Sequence, residues 1–301
     1  MKEYWKSYLN GNCITSINLI DGTKVHETQD ENDDKFTFDF AESCDLNTSN
    51  HCDGGCQWCY QGCTLQGKHA DLKNTKFLDT LHPYTELAIN GNDLSHPDLV
   101  WFLEKMRDKE VIVSMTVNQK HFMRHIDFIK ELVFKGLIKG LGVSLVEPTD
   151  EFINLISEFP NAIIHVIAGI VTKEELDKLS DHNLKILILG YKATKNRGKV
   201  YYEGGHKEEI KDKIKWLSEN LHDYFSKFKV VSCDNLCIEQ LDIRNIIGEE
   251  KWEECYMGDD GECSFFIDLV SKKFAKSSVE TEQYDLLDNI DDMFEVIRNE
   301  T

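Results

Sequence analysis

Cys52-Asp53-Gly54-Gly55-Cys56-Gln57-Trp58-Cys59 is the stretch from which the rest of the chain is read. Three cysteines are separated by three and then two residues. Gly54-Gly55 between the first two lets the backbone wrap closely. Three thiolates cannot complete a four-cysteine site, so a [4Fe–4S] cluster held here keeps one iron open for another ligand. An open metal position signals chemistry, by the logic that separates catalytic from structural zinc. The competing reading is a zinc site completed by Cys63 or His51. Structural zinc usually takes two pairs of cysteines with two residues in each gap, a spacing that three-then-two fits poorly.

Outward from this loop, strand-like and helix-like runs alternate. Strands are expected at Cys44–Thr48, Glu86–Asn90, Val111–Val117, Gly142–Val146, Ala162–Ile167 and Lys185–Leu189. Helices are expected at Asp98–Arg107, His121–Lys135, Asp150–Glu158, Thr172–Leu179 and Lys207–Phe225. Such alternation predicts βα units and a parallel sheet with helices outside. Six units are fewer than the eight of a closed barrel, so the expected fold is α/β, a partial (β/α)6 TIM-like barrel over residues 42–230 with its site at the carboxyl ends of the strands. Residues 1–41 form an N-terminal lead-in. There a β-hairpin is expected from Ile14–Ile20 and Thr23–Thr28 around a tight Asp21-Gly22 turn. The polar run Gln29–Asp34 reads as a loop, and Phe36–Phe40 alternates like a strand. Residues 231–301 form a C-terminal α+β extension, with a hairpin turned at Val270–Lys273 and an amphipathic helix through Tyr284, Leu287, Ile290, Phe294 and Ile297.

The composition limits the partners. In 301 residues, 34 Lys and Arg stand against 54 Asp and Glu, a balance of −20. Duplex DNA is a poor partner for so acidic a chain, because phosphate binding needs a basic surface. The segment 280–301 is an acidic stretch that reads as a solvated helix face. No apolar run approaches the ~18 residues of a membrane span, and the N-terminus lacks the apolar core of a signal peptide, so a cytoplasmic location without membrane association is expected. Ten cysteines are many for such a chain. They cluster at 44–63 and 233–263, which points to metal or redox chemistry rather than to a disulfide framework.

The CxxxCxxC spacing, with aromatic Trp58 just before the last cysteine, resembles the signature of the radical S-adenosylmethionine (radical SAM) superfamily. The resemblance covers about residues 42–230. It implies that Cys52, Cys56 and Cys59 bind three irons of a [4Fe–4S] cluster, that S-adenosylmethionine (SAM) chelates the fourth, and that reductive cleavage yields a 5′-deoxyadenosyl radical that abstracts hydrogen from a substrate. The cofactor carries the difficult chemistry, and the protein supplies orientation and water exclusion. The family's Gly-Gly-Glu-like turn, which holds the SAM amino group, corresponds here to Asn90-Gly91-Asn92-Asp93, without the glutamate. An amide oxygen or carboxylate is still able to accept from an ammonium. Asn118 and Ser144, at the ends of the third and fourth strands, are the counterparts of residues that approach the SAM carboxylate or ribose, although Asn118 also suits a helix cap. His165 reads more readily as a core or rim histidine. Lys192 and Arg197 lie in a basic loop, Gly190–Lys199, that suits a carboxylate or phosphate of SAM or substrate and equally a solvated loop.

Cys233, Cys237, Cys255 and Cys263 follow the barrel. Some families of this kind carry auxiliary iron–sulfur domains, so a second cluster is one reading; a zinc site or buried thiols are others. The spacings match the auxiliary pattern poorly, and Ser277 and Ser278 stand where a further cysteine would be expected. The resemblance also implies an external electron donor, flavodoxin- or ferredoxin-like. The substrate is a peptide or a small molecule, a peptide slightly favoured. The alternatives are a non-catalytic cluster- and SAM-binding module, and a zinc-binding interaction protein.

Overall fold

The computed structural model describes residues 4–20, 22–30 and 35–299. The chain opens with a three-stranded antiparallel sheet, β1 (Trp5–Asn10), β2 (Cys13–Asn18) and β3 (Lys24–Thr28). The hairpin expected here pairs Cys13 with Thr28 and Ile17 with Lys24. Asp21 of its expected turn lies outside the described residues, as do residues 31–34 of the expected loop. The connection is wider than a two-residue turn, since Asn18 N–H donates to Thr23 O at 2.8 Å while Leu19 N–H is taken by Tyr4 O at 2.7 Å. β1 was not anticipated.

Phe36–Phe40 is not a strand. Asparagine side chains satisfy its backbone in place of a ladder: Asn10 Oδ1 accepts from Asp39 and Phe40 N–H, and Asn12 Oδ1 from Thr37 N–H. The alternation reflects Phe38 packing into the core rather than a pleat.

The main sheet begins with β4 (Ser43–Asn47) and β5 (Glu86–Asn92). It continues through α1 (Leu99–Asp108), β6 (Ile112–Asn118), α2 (Gln119–Arg124), α3 (Ile126–Phe134), β7 (Gly140–Ser144), α4 (Asp150–Ile156) and β8 (Ala162–Ile167). Then come α5 (Lys173–Leu179), β9 (Lys185–Leu189), α6 (Asn196–Tyr201), α7 (Lys207–Asn220) and β10 (Val230–Cys233). After α8 (Asn235–Leu241), α9 (Ile243–Ile247) and α10 (Glu249–Cys255), the chain adds β11 (Ser264–Asp268), β12 (Lys273–Ala275), β13 (Tyr284–Asp285) and α11 (Ile290–Arg298). The strands lie in the order β10-β9-β8-β7-β6-β5-β4-β11-β12-β13, parallel from β10 to β11 and antiparallel beyond. The six expected strands are present and in sequential order. The chain after residue 229 extends the sheet at both edges, with β10 on β9 and β11 on β4. The result is a mixed α/β architecture around an open sheet, as a partial barrel requires; no barrel closes among the described residues.

Between its first two strands the sheet carries the cysteine loop and a short 3-10 turn at Lys76–Asp79, where no helix was expected. Two local expectations need correction. The helix expected over His121–Lys135 is two helices broken at His125. The last helix starts at Ile290, capped by Asn289. Tyr284 instead pairs with Phe274 in the sheet, so its helical spacing from Ile290 was coincidental.

Alternation along the strands divides the sheet into two faces. Cys44, Leu46, Leu87, Ile89, Val113 and Met115 are buried in the hydrophobic core, each worth about 2 kcal/mol of apolar burial. The alternate residues, among them Asp45, Asn47, Asn90, Thr116 and His165, line a cavity. The N-terminal sheet is tied to the start of β4 through buried Glu42. It accepts from His26 Nε2 (2.6 Å), from Tyr8 OH (3.2 Å) and from Thr15 Oγ1. Burial alone would raise the Glu42 pKa, but the His26 bond, Lys24 and Thr15 outweigh it and hold it low. No helix among the described residues is long and apolar enough to cross a membrane.

Candidate functional site

The cysteine loop rests on a two-lane base. Residues 48–52 run beside 64–70, with Asn50 N–H bonded to Lys68 O (2.9 Å), Cys52 N–H to Thr64 O (3.0 Å) and Ala70 N–H to Thr48 O (2.9 Å). The residues of the expected Gly-Gly-Glu-like turn brace this base. Asn90 Oδ1 accepts from Thr48 N–H (2.7 Å), and its Nδ2 donates to Asn47 Oδ1 and Ser49 O (both 2.7 Å). Asn92 Nδ2 donates to Ser49 O (2.7 Å) and His51 O (3.0 Å). Asp93 is buried and accepts from Asp53 N–H and Ser95 N–H, each at 3.2 Å. Gly91 is the extra residue of a bulge between Asn90 and Asn92 on β5. A methyl there would meet Val117 Cγ1 at 2.7 Å and Thr116 O at 3.0 Å, so only glycine fits.

Gly54 sits inside the cysteine loop. A methyl on it would lie 3.3 Å from Cys52 Sγ, 3.9 Å from Cys56 Sγ and 3.3 Å from His121 Cε1. Two sulfurs and the histidine ring therefore surround the space that glycine leaves. Gly54 N–H points at Cys52 Sγ (3.3 Å), and Asn118 Nδ2 at Cys56 Sγ (3.7 Å). Asp53 is clamped by His121 Nε2 and by Arg124 Nη1 (2.7 Å); Arg124 and His121 hold its carboxyl down to about 2. The His121 ring is buried, and its Nδ1 finds no partner among the described residues. Burial raises the Cys52 thiol to about 11 and also raises Cys56. The hydrogen bond from Cys63, joined by Arg197, outweighs burial at Cys59 and holds that thiol well below its usual range. Cys63 itself is 4% exposed, is pushed far up by Cys59, and packs against Asn92 Nδ2 (3.7 Å).

Cys52, Cys56 and Cys59 line a cavity of about 710 Å³ together with Trp58, Asn90, Asn92, Asn118, Ser144, Lys192 and Arg197. Asn118 and Ser144 end β6 and β7 and are register partners. Asn118 takes the helix-cap role, its Oδ1 accepting from Lys120 N–H at the start of α2 (3.0 Å), while its Nδ2 faces Cys56. Trp58 packs edge-on against Tyr201. The expected basic loop is partly helical, because α6 starts at Asn196. Arg197 donates to Cys63 O (2.7 Å), and its buried Nε has no partner among the described residues. Lys192 lies over the Tyr60 ring at 4.3 Å and donates to Ser278 Oγ (2.8 Å). Gly91 and Asp93 are not on the cavity wall.

Among the described residues, no three His, Cys, Asp or Glu side chains converge on a single ion position. Mononuclear zinc needs that convergence, whereas a cluster binds each thiolate at a separate iron. Three cysteines on one cavity wall, around a glycine that leaves room between two of them, suit the second arrangement. Cys233 and Cys237 approach each other at the β10–α8 corner, Cys237 fully buried; Cys255 is exposed at the end of α10, and Cys263 precedes β11. Sequence reasoning missed Asp45, Asp53, Tyr60, His121 and Asp234. The one available signal was an acidic residue, Asp45, inside the apolar start of the first barrel strand.

His165 faces the cavity from β8, its ring against Gly142, where a methyl would come within 2.6 Å. Burial lowers its pKa to about 4, against about 6.5 in the unfolded chain. The folded state therefore binds fewer protons between these values. The contribution of His165 to stability is full above about pH 6.5 and is lost as pH drops toward 4. His165→Gln is expected to shrink the loss of urea midpoint between about pH 7 and about pH 5; an unchanged loss would assign the acid sensitivity elsewhere.

No family model and no curated protein matches this chain. Among solved structures, SuiB from Streptococcus suis superposes over 99% of this chain and 88% of its own, with a TM-score of 0.56 and 12% identity. At that identity the likeness shows a shared fold. Tryptophan synthase from M. tuberculosis in an aminoacrylate-bound form matches 69% of this chain and 87% of its own at 10% identity, with a TM-score of 0.32 that is too low to carry an argument.

Proposed function

We propose that the chain is a radical SAM enzyme that cleaves SAM reductively and abstracts hydrogen from a peptide or small-molecule substrate, with its electron supplied by an external flavodoxin- or ferredoxin-like donor. The observation that carries the reading is the placement of Cys52, Cys56 and Cys59 in a braced loop after β4, on the wall of the large cavity at the carboxyl ends of the parallel strands. The fold shared with SuiB, a radical SAM protein, supports it. The three cysteines would hold a [4Fe–4S] cluster, which when bound supplies the electron for SAM cleavage. The chain's own residues bind and orient. Trp58, Asn118 and Ser144 present one aromatic and two polar side chains beside the cysteines, and Lys192 and Arg197 add positive charge for a carboxylate.

The test is anaerobic reconstitution, followed by reduction with dithionite in the presence of SAM and chromatography for 5′-deoxyadenosine. Product from the wild type is expected. A second reading, a cluster- and SAM-binding module without turnover, is favoured by one observation. Asn90, Asn92 and Asp93 are engaged in bracing the loop, where the family's turn holds the SAM amino group. SAM binding measured by calorimetry, with no deoxyadenosine formed, would select that reading. Zinc in place of iron would overturn both.

A further inference from the structure

Between Cys52 and Cys56 stand only Asp53, Gly54 and Gly55, so Asp53 carries the one side chain by which this segment can be held. Two adjacent glycines leave the backbone free, Gly55 taking φ +63°, and ordering them costs conformational entropy. Such a segment keeps two thiolates at a set separation only when something outside it supplies the restraint. Asp53 is the point of attachment. Its N–H donates to Asp93 Oδ2 at 3.2 Å, its Oδ1 accepts from His121 Nε2, and its Oδ2 accepts from Arg124 Nη1 at 2.7 Å. Both side-chain partners lie on α2, 68 and 71 residues along the chain.

His121 contributes most to the hold. Its side chain is 1% exposed. Its one side-chain hydrogen bond among the described residues goes to Asp53, and Nδ1 has no partner. Burying a polar ring is costly unless it is hydrogen-bonded, so packing alone does not account for a histidine at this position. Its Cε1 borders the space at Gly54 that Cys52 Sγ and Cys56 Sγ also border. Arg124 is half-exposed, and its ion pair holds little by itself. Its guanidinium instead balances a carboxylate placed between two cluster ligands.

We infer that His121, acting through Asp53, is a positioning residue for the cluster: it fixes Cys52 and Cys56 at the separation that two irons require, and Arg124 compensates the Asp53 charge beside them. The inference deepens the radical SAM reading and rests on its assignment of Cys52, Cys56 and Cys59 to the cluster.

The test compares Asp53→Ala, His121→Phe and the double variant; phenylalanine keeps a buried ring without the hydrogen bond. Each full chain is reconstituted anaerobically and challenged with an iron chelator while the cluster absorbance is timed. Each single variant is expected to lose its cluster about tenfold faster than the wild type, as for loss of a hydrogen bond to a charged group. The double variant is expected to be no faster than the singles, because both substitutions remove one link. Wild-type rates in the singles, or a double effect equal to the product of the two, would overturn the assignment. The reduction potential, followed by electron paramagnetic resonance at low salt, is a readout that a packing role would not move. Arg124→Gln is expected to lower it by leaving the Asp53 charge uncompensated, and Asp53→Asn to raise it by removing that charge. Asp93, Lys120 and Arg197 also act on these cysteines but are common to every variant. Shifts in one direction, or none, would overturn the role. Where circular dichroism shows that His121→Phe does not fold, Asp53→Ala and the two potentials decide, since Asp53 and Arg124 reach solvent. Unchanged rates and potentials with deoxyadenosine formed by the wild type remove the positioning role only. The expected rates and shifts without deoxyadenosine remove the radical chemistry only. A wild-type chain that takes up zinc and no iron overturns both.

Discussion

Cys56→Ala is expected to abolish iron loading and deoxyadenosine formation, while Cys63→Ala keeps both. The two cysteines lie in the same loop and differ in what surrounds their sulfur. Cys56 Sγ lines the cavity and faces Asn118 Nδ2 and the open space at Gly54. Cys63 is buried beneath it, its sulfur held among Asn92 Nδ2, Gln61 Oε1 and the Cys59 thiol. Cys63 Sγ donates to Gln61 Oε1 (3.5 Å) beside Cys59, whose thiol is held below its usual range, toward the thiolate that binds metal. Removing one of three cluster thiolates leaves two irons without protein ligands, so the loss is expected to be complete rather than graded. Removing Cys63 leaves a small buried gap costing about 1 kcal/mol. Iron and sulfide content after anaerobic reconstitution, read beside a urea unfolding curve, separates the two. If Cys63→Ala lost as much iron as Cys56→Ala, Cys63 would be a ligand and the open-iron argument would fail.

The strands were the most legible part of the sequence, because a strand buried under helices shows as a short β-branched run with its own boundaries, as in Ala162–Ile167 and Lys185–Leu189. The cysteine loop was legible for another reason: metal spacing is written in consecutive residues. What escaped were features that depend on residues distant in the chain. Phe36–Phe40 has strand-like alternation, yet Asn10 and Asn12 take its hydrogen bonds from some 25 to 30 residues away. The attachment of β11 to β4 joins positions more than 200 residues apart, and no local pattern announces it. The turn Asn90–Asp93 shows the same limit within the site. Its chemistry alone suits a ligand contact, but its side chains brace residues 48–53, which only the fold brings beside it. The segments after β10 and before β11 meet through Asn235 Nδ2 and Asp260 Oδ1, another contact that no local pattern announces.

That dependence of the site on its bracing leads to the second large effect, at Gly67. This residue carries no catalytic chemistry and lies outside the cysteine motif. It packs against the backbone of the facing lane so closely that a methyl group would fall 1.8 Å from Asn50 O and 2.6 Å from His51 N. Both contacts are to backbone that is itself fixed, with Asn50 O accepting from Thr64 N–H at 3.0 Å and His51 N–H donating to Ser49 Oγ at 3.0 Å. No flexible side chain can yield, so Gly67→Ala must push the two lanes apart, and with them the anchor of Cys52. Overpacking of this kind costs about 3 kcal/mol or more, and here the displacement falls on a metal ligand. The expected result is a markedly lower urea midpoint together with loss of most of the iron taken up on reconstitution. Gly204→Ala is the control, because a methyl there meets nothing within 4 Å; its stability and iron content are expected to match the wild type. The outcome that would sink the argument is a Gly67→Ala protein as stable as Gly204→Ala and loaded with as much iron, since the cysteine loop would then not depend on the two-lane base that holds Cys52 in place.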